Sequence, residues 1–393
     1  MSATGTIAVG RNVQAFFVKE STMGQIAIPA AGNMIVVNTA ELKIPNNNYE
    51  EDKGLRSSRS FFSRIQTTIP AGTFKLSHYI KPSGALGTSP EASDLLECVT
   101  GLKTVNAGVD VRYTPTLYKP CGTLYVKQDH TVYVATGCAV DKFSTKKDNK
   151  GVLEGSEDGK FMSGIWTGTG ALAEVISTTP AVGTEEWFSV DDVKKWCTGS
   201  HILIGTEQIQ ITGTFWEGTS GGTAGKIKMK RGHNSSTVAT HPNGTAITPW
   251  LPTGTETGTP LAARIGVLSV DAATVPFLDL DYNYDDSVTM NEDEVTGIIT
   301  PTDYYEGDRK VTGKVTIYYR KADNKWFVDA RTQTRKALIL NYGSVAGKRV
   351  AISMPYCELD IPEIASDKQA QKLSIGYQAF ASTGNDEATL IFS

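Results

Sequence analysis

Apolar and polar positions alternate through the last third of the chain. Along residues 313–320 (GKVTIYYR), Val315, Ile317 and Tyr319 fall on one face and Lys314, Thr316 and Tyr318 on the other. That is the period of a half-buried strand. Similar runs predict strands at 325–330 (KWFVDA), 336–342 (KALILNY), 348–354 (KRVAISM), 372–380 (KLSIGYQAF) and 388–392 (ATLIF). The turn cluster Ser382, Thr383, Gly384, Asn385 and Asp386 precedes the last of them.

The first part of the chain is also strand and loop, with one helix. Strands are expected at 34–38, 122–127, 131–136 and 138–143. The helix is expected to open at Ser89 and Pro90, a favoured N-cap followed by a favoured first helical residue. Leu95, Cys98, Val99 and Leu102 form its packing stripe, and Gly101 marks its end. Residues 46–59 are polar and too long for a hairpin tip inside a compact domain, and loops of that length are usually functional or disordered.

Residues 184–262 read as a separate β module. Short strands at 202–205, 207–213, 226–231 and 245–248 are divided by Gly-rich turns, and Ser189 to Asp192 predicts a short helix running to Trp196. The expected organisation is therefore a discontinuous β body, 1–180 and 265–393, interrupted by an inserted surface module at 184–262.

Composition supports a mainly β class and narrows the chemistry. The chain has 393 residues, 38 Gly and a net charge of −4. This is no polybasic footprint, so gripping nucleic acid through phosphate neutralisation is not expected. Cys98, Cys121, Cys138, Cys197 and Cys357 include no C-x-x-C pair, and they read as small buried apolar residues of a reducing compartment. The N-terminal residues lack the pattern of a signal peptide, and no apolar run is long enough to span a membrane.

Local motifs for chemistry fail on their own requirements. Asp279, Asp281, Asn283 and Asp285 resemble the front of a calcium loop, but Tyr284 and Met290 stand where Gly and a bidentate Glu are needed. A solvated acidic loop is the expected reading. Residues 221–226 suggest a phosphate-binding loop, but Ser220 replaces its first Gly and Ile227 its hydroxyl. No His pair has metalloprotease spacing, and no nucleophile elbow occurs. No catalytic residue, metal ligand or cofactor is assigned. Trp187, Trp196, Trp216 and Trp250 of the module are core residues or, in a competing reading, a ring-stacking surface of an adhesin or baseplate-type module.

Arg56, Arg59 and Arg64 interleave with Phe61 and Phe62 after the long polar loop. Such a stretch can stack bases and meet phosphates, pack a strand on a neighbour, or form an intersubunit contact.

The body resembles a known family. The polar loop and its Arg/Phe return are followed by PSGALGTSP (82–90) and DLLECVTG (94–101). YVATGCAVDKF (133–143) and the close 377–392 complete the pattern. Together they resemble the tail tube (major tail) protein of long non-contractile-tailed bacteriophages. The module, through residues 202–213, Arg231, Gly232, 237–241 and Gly244, is similar to a small β module of phage structural proteins. The resemblance implies two packed sheets (a β-sandwich or half-barrel) with one flanking helix. It implies six subunits per ring, and rings stacked into a tube in the virion tail. The lumen would hold the tape-measure protein and then pass DNA without sequence-specific binding, and terminator and baseplate or tip proteins would close the ends. Acidic and small polar groups are expected to line it. The expected contact residues between subunits or rings are Asn48, Tyr49, Arg56, Arg59, Phe61, Phe62 and Arg64.

Overall fold

A single long strand, Thr131–Lys147, organises the body by serving two sheets. In the computed structural model, which describes residues 12–52, 63–147, 151–177, 183–216, 225–294, 300–366 and 370–393, its first half pairs with Gly122–Gln128 and Ser163–Thr167. Val13–Lys19 and then Met34–Ile35 extend that sheet. Its second half pairs instead with Glu154–Phe161 and Asp279–Asp285. The change of partners falls at Gly137, whose φ of +63° is open to a residue without a side chain. A Cβ there would lie 2.3 Å from the Met162 sulfur. The buried Glu20 carboxylate fixes this bend, accepting hydrogen bonds from the Gly137 amide at 2.9 Å and the Thr123 hydroxyl at 2.8 Å.

The second sheet is wide and antiparallel. Its order is Val37–Lys43, Gly72–Tyr79, Glu154–Phe161, the second half of Thr131–Lys147, Asp279–Asp285, Lys310–Tyr318 and Gln371–Phe380. Gln371–Phe380 also pairs with Val350–Leu359. From there the pairing runs to Lys336–Tyr342 and, through Thr389–Phe392, to Asp110–Pro115 and Gly101–Asn106. Among the described residues the network is branched and open, ending at Val37–Lys43 on one side and Gly101–Asn106 on another, and it gives the mainly β architecture. Phe74, Leu76, Phe143, Tyr282, Val315 and Ile317 point into one core, where burial stabilises by roughly 25 cal/mol per Å² of apolar surface.

Three local expectations are corrected. KWFVDA belongs to a short helix, Lys325–Arg331, which buries Trp326 and Ala330, one helical turn apart, on a single face. The acidic stretch from Asp279 is a strand in mid-sheet, not a loop, with Leu280, Tyr282 and Tyr284 buried and the acids on the opposite face. The first helix spans Ser93–Thr100 and does not open at Ser89. Ala92 holds a left-handed φ of 59°, and Glu91 turns inward to accept the Val36 amide at 3.0 Å and the Lys81 ammonium at 3.4 Å. Leu95, Leu96, Cys98 and Val99 form the buried stripe, whereas Leu102 lies beyond the helix and is exposed. Gly101 ends the helix as expected, at φ 116°.

A separate six-stranded sheet lies within residues 170–249. Its order is Gly170–Ala171, Ala246–Pro249, His201–Ile204, Glu207–Trp216, Gly225–Lys230 and Glu185–Val190. It has its own core, which draws in Leu172 and Ile176 upstream of residue 184. The helix expected before Trp196 is a single 3-10 turn, Val193–Lys195, capped by Asp192, whose carboxylate accepts the Lys194 amide at 3.0 Å. Glu207 and Arg231 are both fully buried here. The guanidinium donates to the carboxylate at 2.9 and 2.5 Å, and His241 Nε2 approaches it at 2.8 Å. Arg231 also donates to the carbonyls of Ser177 and Ala239. Burial pushes the Glu207 carboxyl up, but Arg231 and His241 outweigh it and hold the group below its usual range.

All five cysteines are free, and four are buried. Burial, reinforced by the Glu20 charge, pushes the Cys121 thiol up to about 12, and burial does the same for Cys357.

Candidate functional site

The residues that alternate with the core on the wide sheet face outward and are almost all polar. Thr39 and Glu41 lie beside Ser77 and Lys75, which in turn lie beside Ser156 and Asp158. Lys142 and Ser144 follow, then Asp285 and Asn283, then Lys310 and Thr312. Side-chain direction follows from the strand period of two, so a buried Phe or Leu at one position dictates an outward neighbour. Charges of opposite sign meet across the strands, Lys75 to Asp158 at 3.4 Å and Lys142 to Asp285 at 3.0 Å. The Asp285 hydrogen bond raises the Lys142 pKa. Burial opposes ionisation of Asp285, but Lys142 and the Ser287 amide hold its carboxyl below the usual range. The named residues of this face are thus polar and charge-balanced, with lysines standing beside the acids.

Two neighbouring strands of this face, Val37–Lys43 and Gly72–Tyr79, are joined by a long excursion over residues 44–71. It carries its own two-stranded hairpin, Tyr49–Glu51 paired with Arg64–Gln66. Asn48 closes the base, its amide donating to the Thr68 carbonyl at 2.8 Å and its side chain to the Thr68 hydroxyl at 2.9 Å. The Arg64 guanidinium sits over the Tyr49 ring, 5.1 Å from its centroid. Both hairpin strands are exposed along their length, with Tyr49 at 51% and Ile65 at 60%. The structure thus brings Asn48, Tyr49 and Arg64 onto one projecting element. Arg56, Arg59, Phe61 and Phe62 lie outside the described residues.

A cleft of about 660 Å³ runs between the hairpin base and the body, lined by Asn47, Tyr49, Arg64, Phe161, Met162 and Trp166 among others. Among the described residues, no group of three or more His, Cys, Asp or Glu is placed to hold a metal ion. No helix among them is long and apolar enough to cross a membrane. The polar sheet face went unrecognised at the level of sequence. Its signal, polar residues alternating with Phe74, Leu76 and Phe143, was present at 72–79 and 139–146 but acquires meaning only when the strands are side by side.

The body is thus strand-rich, with a broad polar face and an exposed hairpin beside it. A family profile described as phage tail tube protein matches residues 10–379, and the chain belongs to that family. It is a structural component of the bacteriophage tail. No curated protein matches this sequence.

Proposed function

We propose that the chain polymerises as stacked, six-membered rings into the tail tube, encloses the tape-measure protein during assembly and conducts DNA at infection. Terminator and baseplate or tip proteins meet the two ends. The observation that carries this reading is the hairpin beyond residue 44. It leaves the rim of the polar sheet and exposes Tyr49 and Ile65, apolar surface that a neighbouring subunit would remove from water. A hairpin projecting from a ring onto the next ring repeats along the axis without limit, as a head-to-tail contact does.

Two further features support it. Val37–Lys43 and Gly101–Asn106 each pair on one side only among the described residues, and a neighbour in a ring would cover such edges. The polar face suits a lumen, because paired charges such as Lys142 and Asp285 leave little net field to hold phosphates. In the same reading, residues 184–262 form an inserted module on the outer surface of the tube.

Negative-stain electron microscopy tests the proposal. The wild-type chain forms open rings or tubes of uniform width, and a variant lacking residues 46–59 folds but does not stack. Normal tubes from that variant would remove the hairpin from the mechanism.

A further inference from the structure

The turn His233–Ser235 lays one imidazole against another on the face of the module's sheet opposite its core. Along Glu207–Trp216 the core takes Ile209 and Ile211, so Gln208 and Gln210 point the other way. His201 pairs with Gln210 and Leu203 with Gln208, which puts His201 and Gln208 on that same face, diagonal to each other. The Ser236 hydroxyl ties the turn to Gln208, accepting its amide at 2.9 Å and donating to its carbonyl at 3.1 Å. Asn234 and Ser235 both hold a left-handed φ, of 51° and 60°, a conformation that costs free energy. His201 is left 7% exposed, and its ring centre lies 4.9 Å from that of His233, with the planes tilted by 36°.

Buried polar atoms on this face go unpaired. His201 Nε2, His233 Nε2 and Gln208 Oε1 each lack a hydrogen-bond partner among the described residues. The buried histidines elsewhere differ, since His78 contacts Glu157 and His241 contacts Glu207. Burying such groups without a partner is costly, so each calls for an explanation. Two imidazoles that share one ion through Nε2, at about 2.1 Å and a bond angle of about 90–110°, have ring centres about 5 Å apart. The separation of His201 and His233 matches that value. Burial, and then the His233 charge, push the His201 pKa down to about 4, while burial, and then Lys230, lower that of His233. Neutral imidazole, the ligating form, is therefore the resident one at neutral pH. His233 is only half-buried, which leaves a route in from solvent.

We infer that His201 and His233 bind a divalent transition-metal ion of the zinc type through their Nε2 atoms, with the Gln208 amide oxygen as a third donor. Imidazole nitrogens select zinc, nickel or copper over magnesium and calcium, which take oxygen ligands. Two imidazoles and an amide are a partial set that water completes, so binding is weaker than at a four-ligand structural zinc site. The ion pins the strained turn to the sheet and so stabilises the module. The inference goes beyond tube formation, and each can fail without the other.

The test is isothermal titration calorimetry of the untagged full chain, dialysed against EDTA and then buffer, with zinc chloride and with magnesium chloride as the hard-cation control. One Zn²⁺ per chain is expected, with no response to Mg²⁺. His233→Gln should weaken zinc binding about tenfold or more, since it removes one of the two imidazoles. His201→Gln should do the same from the buried side. Lys230→Gln should tighten binding, because it removes a positive charge near His233. Saturating zinc should raise the thermal midpoint of the wild-type chain but not of His233→Gln. The zinc-free midpoints of these two proteins should agree, which separates ligand loss from misfolding. No zinc uptake, an equal response to Mg²⁺, or zinc uptake unchanged in His233→Gln, as a site at the exposed His130 would give, would each overturn the proposal.

Discussion

Replacing Glu207 by Gln probes an ion pair that is fully buried on both sides. The carboxylate and the Arg231 guanidinium are both at 0% side-chain exposure, so water cannot substitute for either partner. The carboxylate also accepts the Gly232 amide at 3.2 Å and the Ala239 amide at 3.1 Å, joining two loops to the sheet. Gln keeps the volume but removes the charge and turns one acceptor into a donor, aimed at groups that already donate. Removing one partner of a buried pair costs about 3–5 kcal/mol, because the other charge stays desolvated. For a unit of this size, each kcal/mol moves the midpoint by about 4–8 °C, so its transition should fall by roughly 12 °C or more. Differential scanning calorimetry of the full chain, with limited proteolysis to locate the first region to open, measures this. Lys75→Gln is the control, since Lys75 and Asp158 are about half exposed and such pairs contribute little. A Glu207→Gln midpoint within 2 °C of wild type, set as the threshold against the roughly 12 °C expected, would refute the reasoning.

Two further outcomes follow from the body. Gly137→Ala places a side chain at a left-handed φ and against Met162, and should destabilise by at least about 1–3 kcal/mol in chemical denaturation; an unchanged midpoint would mean the strand bends elsewhere. Burial lowers the His78 pKa, but the Glu157 carboxylate at 3.0 Å outweighs it and holds the ring at about 8, above its ordinary value of 6.5. The stabilisation, about 2 kcal/mol, is therefore complete below pH 6.5 and lost as pH rises through 8. Thermal midpoints between pH 6 and 9 should show that fall, and Glu157→Gln should abolish it.

Much of the body was legible in the chain. Alternation at 313–320 and 336–342 marks strands because a sheet with one buried face demands a period of two. Gly101 marked the helix end because few other residues tolerate its φ of 116°. KWFVDA misled because a run of six residues with two buried positions fits either a strand or a helical turn, and the packing of Trp326 and Ala330 decided it. The acids at 279–285 read as a loop because their density suggests solvation. Their partners, Lys142 on one strand and Lys310 and Lys314 on another, are far away in sequence. Arg231 and His241 were visible as residues, but their convergence on Glu207 was not.

By itself, then, the sequence determined the β class, the turn positions and the polar stretch that interrupts the sheet, since these depend on neighbours within a few residues. The tertiary structure decided which polar faces lie together, where Tyr49 and Arg64 project, and that Trp187 is exposed while Trp196 is buried. Those outcomes depend on strand order and register, which long-range pairing sets and local pattern does not encode.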